Sequence, residues 1–419
     1  MIRKRKILHK KKKNPLSGIV RRPVFTFLWG MENIEEKSCL CALNRIFGFE
    51  PKYALALIGH LGSASEVFRL SDKELFALTG PRFKYKGDIN ARSVCAAKEE
   101  LIRLESAGVS FCGWTENDYP TLLRECEDAP VGLYIRSVSK PSELWRSGES
   151  IAVVGTRDIS PYGREWCGKM VRHLSHSAVK PCIVSGLALG TDIEAHKTAL
   201  DSGLPTIGVM ATGPDSIYPY RHREFALRMA RTPGCALVTD YPPGTAPLAV
   251  HFLRRNRIIA GLSRASILVE SKIKGGGMMT CRLAFSYNRD VFALPGRIDD
   301  VRSQGCNELI RQKIAEPVTS LSMLSECLGL PGSYRKREGD SAESAVIQRF
   351  SGSTDPRTLE RMCLIIRQIR KHRGITLEDL AGSLGMPYRE VSQTAGLLEI
   401  EGFITIDILQ RCCINHKID

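Results

Sequence analysis

Ile151-Ala152-Val153-Val154-Gly155-Thr156-Arg157 is a run of four apolar residues, then a glycine, then a cation two positions on. Two of the four are β-branched valines, and such an unbroken run suits a strand buried on both faces of a parallel sheet. The run stops at Gly155, passes through Asp158-Ile159-Ser160-Pro161-Tyr162-Gly163, and gives way to helical spacing over 163–178. A buried strand that turns through glycine into a helix carries backbone N–H groups and a guanidinium to one edge of the sheet. That edge is where open α/β sheets hold anions.

The same alternation extends outward from this stretch. Strands are predicted at Gly132–Ile135, Cys182–Gly186, Thr206–Met210, Ala236–Thr239, Ser266–Glu270 and Val291–Leu294. Helices are predicted between them at Thr191–Ser202, Arg221–Arg231, Phe252–Leu262 and Met278–Tyr287. Short β-branched strands separated by helices mean right-handed βαβ units, hence an α/β, Rossmann-like, doubly wound and mostly parallel sheet over residues 116–330.

The flanks read differently. Over 34–115, Ala42-Leu43, Ile46-Phe47, Ala54-Leu55, Leu57-Ile58 and Leu61 recur at helical spacing, and Ser71-Asp72-Lys73-Glu74 is a capping box. This is expected to be a small helical domain of SAM or helix-hairpin-helix type, a module that supports packing or dimerisation or grips a DNA backbone. Residues 331–357 shift to glycine, serine, proline and charge, which reads as a linker. Beyond it, helices are predicted at Arg361–Lys371, from Thr376, and at Tyr388–Glu401, then a strand at Gly402–Ile406, a winged-helix pattern over 358–419. Its last helix is not basic: Arg389 stands among Glu390, Glu399 and Glu401, which favours protein contact over reading of duplex DNA.

At 419 residues the chain exceeds one ordinary core. Its net charge of +15 is concentrated: residues 1–22 hold ten Lys/Arg and no acid, leaving +5 for the rest. Residues 1–33 read either as a disordered basic arm or as sequence upstream of a true start at Met31. The apolar part Val24–Trp29 is too short for a secretory signal and lacks a small-residue cleavage site. No run of about 18 apolar residues exists, so no membrane span is expected. The fourteen cysteines are scattered, and neither Cys39/Cys41 nor Cys412/Cys413 has zinc-site spacing, so reduced structural thiols and no metal are expected.

Three glycine-rich turns follow strands: Gly155-Thr156-Arg157, Ser185-Gly186 through Asp192, and Lys274-Gly275-Gly276-Gly277 leading to Thr280. Glycine lets amides approach an anion without a Cβ in the way, and in a parallel sheet these turns share one edge. One such turn reflects loop geometry alone; three beside Arg157 and Lys274 favour phosphate binding. His251-Phe252-Leu253-Arg254-Arg255-Asn256-Arg257 opens a helix with three arginines that are hard to bury. Cations beside an exposed ring make a platform for unpaired bases, although Phe252 alone is more often core. Tyr218-Pro219 and Asp240-Tyr241-Pro242-Pro243-Gly244 read equally as turn chemistry and as direct contacts.

Several chemistries find no support. No Gly-x-x-x-x-Gly-Lys-Ser/Thr sequence occurs, and Gly155–Gly163 lacks Gly-x-Gly-x-x-Gly. His196, after Asp192 and Glu194, lacks a second ligand at suitable spacing, and nothing groups Asp240 with Glu270 as a nuclease metal pair.

Together these segments resemble the DNA-processing protein A (DprA, or Smf) family. The likeness runs through Val154–Arg157, Ser160–Gly163, Val184–Ala188, Gly190-Thr191-Asp192 with Ala195-His196, and Ile217-Tyr218-Pro219. It continues through Tyr241–Gly244, His251-Phe252, Arg255–Ser263 and Val291–Gly296. The resemblance implies a cytoplasmic, usually dimeric, non-catalytic protein that binds single-stranded DNA and loads the RecA recombinase onto incoming DNA in natural transformation, without a cofactor. It implies that Arg157 holds a phosphate, that Ser185, Gly186 and Gly275–Gly277 offer donors, that Phe252 stacks on a base, and that Arg255, Asn256 and Arg257 hold the strand or brace the pocket. Two departures stand out: the family's serines flanking a glycine are replaced by Gly275-Gly276-Gly277, and Leu248-Ala249 occupies a place where a basic residue is common. The grip therefore weakens or shifts toward Lys274 and Arg254.

Two other classes compete. A nucleotide-hydrolysing phosphoribohydrolase-like enzyme would need Pro-Gly-Gly-x-Gly-Thr-x-x-Glu, but the third residue after Thr280 is Leu283. A winged-helix transcription regulator would prefer duplex DNA with a defined operator.

Overall fold

A computed structural model describes residues 31–145, 148–330, 342–352, 354–372, 374–408 and 410–414. The basic arm over 1–30 and most of the stretch over 331–341 expected as linker lie outside the described residues. The chain divides into two compact units, split after Leu330.

The first unit is built on a nine-stranded sheet. Its strands are β1 (Val109–Gly113), β2 (Gly132–Arg136), β3 (Ser150–Val154), β4 (Cys182–Ser185), β5 (Thr206–Val209), β6 (Ala236–Thr239), β7 (Ala265–Leu268), β8 (Asp290–Ala293) and β9 (Glu316–Pro317). Their spatial order is β1-β2-β6-β5-β4-β3-β7-β8-β9. All neighbours from β6 to β9 pair parallel, whereas β1–β2 and β2–β6 pair antiparallel. The opening stretch is an interior strand of the sheet: Ile151 and Ala152 pair with Ile183 and Val184 on one side, while Val153 and Val154 pair with Ile267 and Leu268 on the other.

The order explains where a ligand can sit. The chain runs outward from β3 through β4 and β5 to β6, then returns along the helix Ala249–Leu262 to lay β7 against the other side of β3. Successive connections therefore leave β3 and β7 in opposite directions and open a crevice beyond their carboxyl ends. Apolar side chains fill both faces of the sheet. Ala152, Val154, Val184 and Ile258 belong to one core, and Ile151, Val153, Ile183 and Ile267 belong to the other.

The helices from Met31 to Ser106 were expected to form a domain of their own, ending at 115. They belong instead to the same compact unit as the sheet, because the chain that follows them becomes β1. Leu40, Phe47 and Leu104 pack with Val109, Phe111 and Tyr134, so strand residues share the helices' core. Ser110 interrupts the apolar run of β1, which is why periodicity did not reveal it.

The second unit holds helices Ala342–Phe350, Pro356–Lys371, Leu377–Leu384 and Tyr388–Ile400 with β10 (Ile375–Thr376), β11 (Ile404–Ile406) and β12 (Arg411–Ile414). The strands form an antiparallel sheet ordered β10-β12-β11. The expected linker is partly folded: Val346 and Phe350, one turn apart, pack against a core that includes Met362 and Ile366. The polar composition around them masked this short apolar face.

Candidate functional site

The crevice between β3 and β7 is a cavity of about 360 Å³. Its walls come from the turn after β3 (Gly155, Thr156, Arg157), the crossover helix (Phe252, Leu253, Arg255, Asn256), the turn after β7 (Ser271, Lys272, Lys274, Gly275) and the first turn of the next helix (Gly276, Gly277, Thr280). Residues 122 positions apart in sequence thus converge because β3 and β7 are neighbours.

Glycine is needed here for close approach. A Cβ on Gly277 would lie 3.1 Å from Gly155 Cα and 2.7 Å from Leu268 Cδ1. One on Gly155 would lie 2.4 Å from Thr191 Oγ1. The two turns are therefore in backbone contact, which sets the amide-bearing helix start directly against the β3 turn. The helix Gly276–Ser286 has Gly275 at its N-cap, and no side chain caps it. The first-turn amides of such a helix lack intrahelical acceptors and carry the positive end of its dipole.

Cations line the same crevice. Arg157, Lys272 and Lys274 are exposed, and none forms an ion pair among the described residues. The Arg157 guanidinium stands 5.3 Å from the centre of the half-buried Phe252 ring, and Tyr218 meets that ring edge-on at 5.4 Å. Charge, open amides and an aromatic face therefore line a single crevice.

Other residues expected at the site have structural work. Ser185 is fully buried, and its hydroxyl donates to the Val153 carbonyl at 2.6 Å. The Gly186 amide donates to Asp192 Oδ2 at 3.2 Å, and a Cβ on Gly186 would strike the Arg255 guanidinium at 2.5 Å. The Thr280 hydroxyl donates to its own helix, to the Gly276 carbonyl at 3.3 Å. None of these three presents a free donor to the crevice.

The arginine run corrects the expectation that it is hard to bury. Arg255 is buried and donates to the carbonyls of Gly186 and Val209, at the ends of β4 and β5. Burial brings its pKa down to about 10, which the nearby Asp192 carboxylate counters. Asn256 Nδ2 donates to the Gly276 carbonyl at 3.4 Å, tying the crossover helix to the glycine turn. Arg257 is buried in an ion pair with Asp240 and donates to the Asp128 carbonyl. Arg254 lies 4.4 Å from the Phe49 ring centre, against the helical layer and away from the residues that line the crevice. Arg255 and Asn256 therefore shape the pocket wall, while Arg254 and Arg257 bind the crossover helix to its surroundings.

Lys272 and Asp192 went unweighed as site residues. Lys272-Ile273-Lys274 leaves β7 as two cations around an apolar residue, the signal that would have marked the first of them. Asp192 is buried and accepts from the Gly186 and Ala188 amides; burial raises its proton affinity, and Arg255 and those amides oppose the rise. His196 is fully buried with Nδ1 2.7 Å from Thr206 Oγ1, and burial lowers its pKa to about 3. It is a core histidine and cannot reach a ligand in the crevice. Among the described residues, no three His, Cys, Asp or Glu side chains group to hold a metal, and all fourteen cysteines are free.

The model of the family described as DNA recombination-mediator protein A matches residues 110–329. The chain is 41% identical over 202 residues to the DNA processing protein DprA of Streptococcus pneumoniae, covering 48% of this chain and 68% of that protein. It is 38% identical over 212 residues to the protein Smf of Synechocystis, covering 51% of this chain and 52% of that protein. The crystal structure of the pneumococcal DprA aligns with a TM-score of 0.55 at 28% identity, over 71% of this chain and 98% of that one.

Proposed function

The chain belongs to the DNA recombination-mediator protein A family, which includes the DprA and Smf proteins, and from that premise we propose that it holds single-stranded DNA in the crevice between β3 and β7. Its broad role is in DNA processing. One observation carries the proposal: three cations with no ion pair among the described residues, and a helix N-terminus without a side-chain cap, share one crevice with the half-buried ring of Phe252. Phosphates would take the amides and cations, and a base would use the ring, an arrangement that tolerates any sequence because every base has a π-face. A duplex keeps its bases stacked inward, so the ring would find no partner there.

The family resemblance extends the proposal. The bound strand is handed to RecA recombinase during natural transformation, by a cytoplasmic homodimer that performs no covalent chemistry. Among the described residues that line the crevice the one carboxylate is Asp192, and it accepts hydrogen bonds from the Gly186 and Ala188 amides, which supports a holding role rather than a reacting one. We read the unit beyond residue 341 as a winged helix used for protein contact. On its helix Tyr388–Ile400 the base Arg389 is outnumbered by the acids Glu390 and Glu399, and Glu390 pairs with Arg361 at 2.7 Å, which supports this reading.

The test is a competition between labelled single-stranded and duplex oligonucleotides of several sequences. We expect single strands to win regardless of sequence. Duplex preference with a defined operator, or turnover of free nucleotide by the purified chain, overturns the proposal in favour of the regulator or the enzyme.

A further inference from the structure

Tyr218-Pro219-Tyr220-Arg221-His222-Arg223 lies between β5 and the helix Arg223–Ala230, outside the residues that line the crevice. It is nevertheless fastened to the crevice at both ends. At one end the Tyr218 ring meets Phe252. At the other, His222 is buried and its Nδ1 lies 2.8 Å from the Leu187 carbonyl, beside the crevice-lining Ala188. Tyr220 is two residues from either anchor, so its backbone stays within about 7 Å of the backbone of both anchoring residues.

What the segment exposes is unusual for a turn. The Tyr220 side chain is 78% exposed and Tyr218 45%. Arg221 and Arg223 are exposed and form no ion pair among the described residues, and neither does the adjacent acid Glu224. Lys197, also exposed and unpaired, stands close enough to His222 to act on it electrostatically, as does Arg221. An exposed aromatic ring costs solvation unless something covers it, and here the exposed Arg221 follows the ring directly in sequence and the exposed Arg223 lies two residues further on, outnumbering the acid Glu224. A polyanion with flat apolar faces satisfies both at once.

We infer that this segment is a second stacking subsite, on which Tyr220 receives a base of the strand as it leaves the crevice, while Arg221 and Arg223 meet the adjoining phosphates. The inference rests on the crevice being the strand's main site. It assigns the strand a direction across the surface, from the β3–β7 crevice over Phe252 toward the β5 loop, and a footprint longer than the crevice alone provides.

The experiment uses the full chain with Tyr220→Ala, Tyr220→Phe and Arg157→Ala, and thymidine oligonucleotides of about five and about twenty nucleotides, read by fluorescence anisotropy. Tyr220→Ala is expected to bind the short oligonucleotide as the unaltered chain does and the long one about fivefold or more weakly, the loss of one base stack. Tyr220→Phe is expected to restore the long-oligonucleotide affinity, and Arg157→Ala to weaken both lengths. If Arg157→Ala weakens both but Tyr220→Ala changes neither, the subsite is refuted and the crevice stands. Equal losses on short and long oligonucleotides for Tyr220→Ala, or a phenylalanine variant as weak as the alanine one, refute it as well. If Arg157→Ala changes nothing, the crevice itself falls, and the subsite with it.

Discussion

Replacing Arg157 by glutamine removes one charge from the crevice and keeps a side chain that can hydrogen-bond. Arg157 is exposed and makes no ion pair among the described residues, so the folded state should lose almost nothing, within about 0.5 kcal/mol. Binding should change in a specific way. Each phosphate neutralised on a single strand contributes about −0.7 to the slope of log affinity against log salt. Arg157, Lys272 and Lys274 line the crevice without an ion pair among the described residues, so together they supply a slope of about −2.1, and Arg157→Gln leaves about −1.4. Between about 50 and 200 mM salt, a fourfold change, the gap between the unaltered chain and the variant should therefore narrow by about 2.6-fold. Anisotropy titrations of a thymidine oligonucleotide at four or five salt concentrations resolve a difference of that size. Parallel salt plots, however far apart, would mean that Arg157 meets no phosphate, and the reasoning from the unpaired cations would fail.

Four further outcomes follow from the same structure. Asp240→Ala should destabilise the first unit by about 3–5 kcal/mol, because it strands the buried Arg257 charge; urea unfolding measures this, and a loss under 1 kcal/mol would contradict the buried pair. Gly277→Ala should force the glycine turn away from Gly155 and cost about 1–3 kcal/mol, with single-strand affinity falling alongside; an unaltered affinity would separate the crevice from DNA binding. His196 has a folded pKa of about 3 against an ordinary 6.5, so the unfolded chain binds the extra proton and stability from this group is lost as pH falls below about 6.5. Urea midpoints of the unaltered chain should therefore drop more than those of His196→Asn between pH 7 and pH 5, and identical pH slopes would count against it. Native alkylation followed by mass spectrometry should label Cys95, Cys327 and Cys413 first, with the ten buried thiols reacting only after denaturation.

The sheet was legible because burial on both faces leaves continuous apolar runs. Ile151–Val154, Ile183-Val184 and Ile267-Leu268 announce themselves without knowledge of their partners. β1 was not, since Ser110 breaks its run and its place beside β2 depends on pairing across the intervening turn and short helix. At the site, the glycine turns and Arg157 could be placed on one edge from connection rules alone. The fates of Arg255 and Arg257 could not. An arginine run normally faces water, and only the assembled sheet puts the carbonyls of Gly186 and Val209 and the carboxylate of Asp240 where they can take guanidinium groups out of solvent. Lys272 was missed for a related reason: its cation matters only once the loop after β7 has folded back against β3.

The two flanks of the sheet are guarded by different means. On one side β9 is two residues long and ends in Pro317, too short and too poor in donors to recruit another chain. On the other, β6 is covered by β2 and then β1, and β1 carries the helices that precede it. A fragment trimmed to begin after residue 136 would bare the backbone of β6 along its length, an invitation to strand addition between molecules. The helical layer thus acts as a solubility shield for the sheet, and dissection of this protein should cut after Leu330 rather than between the helices and the sheet.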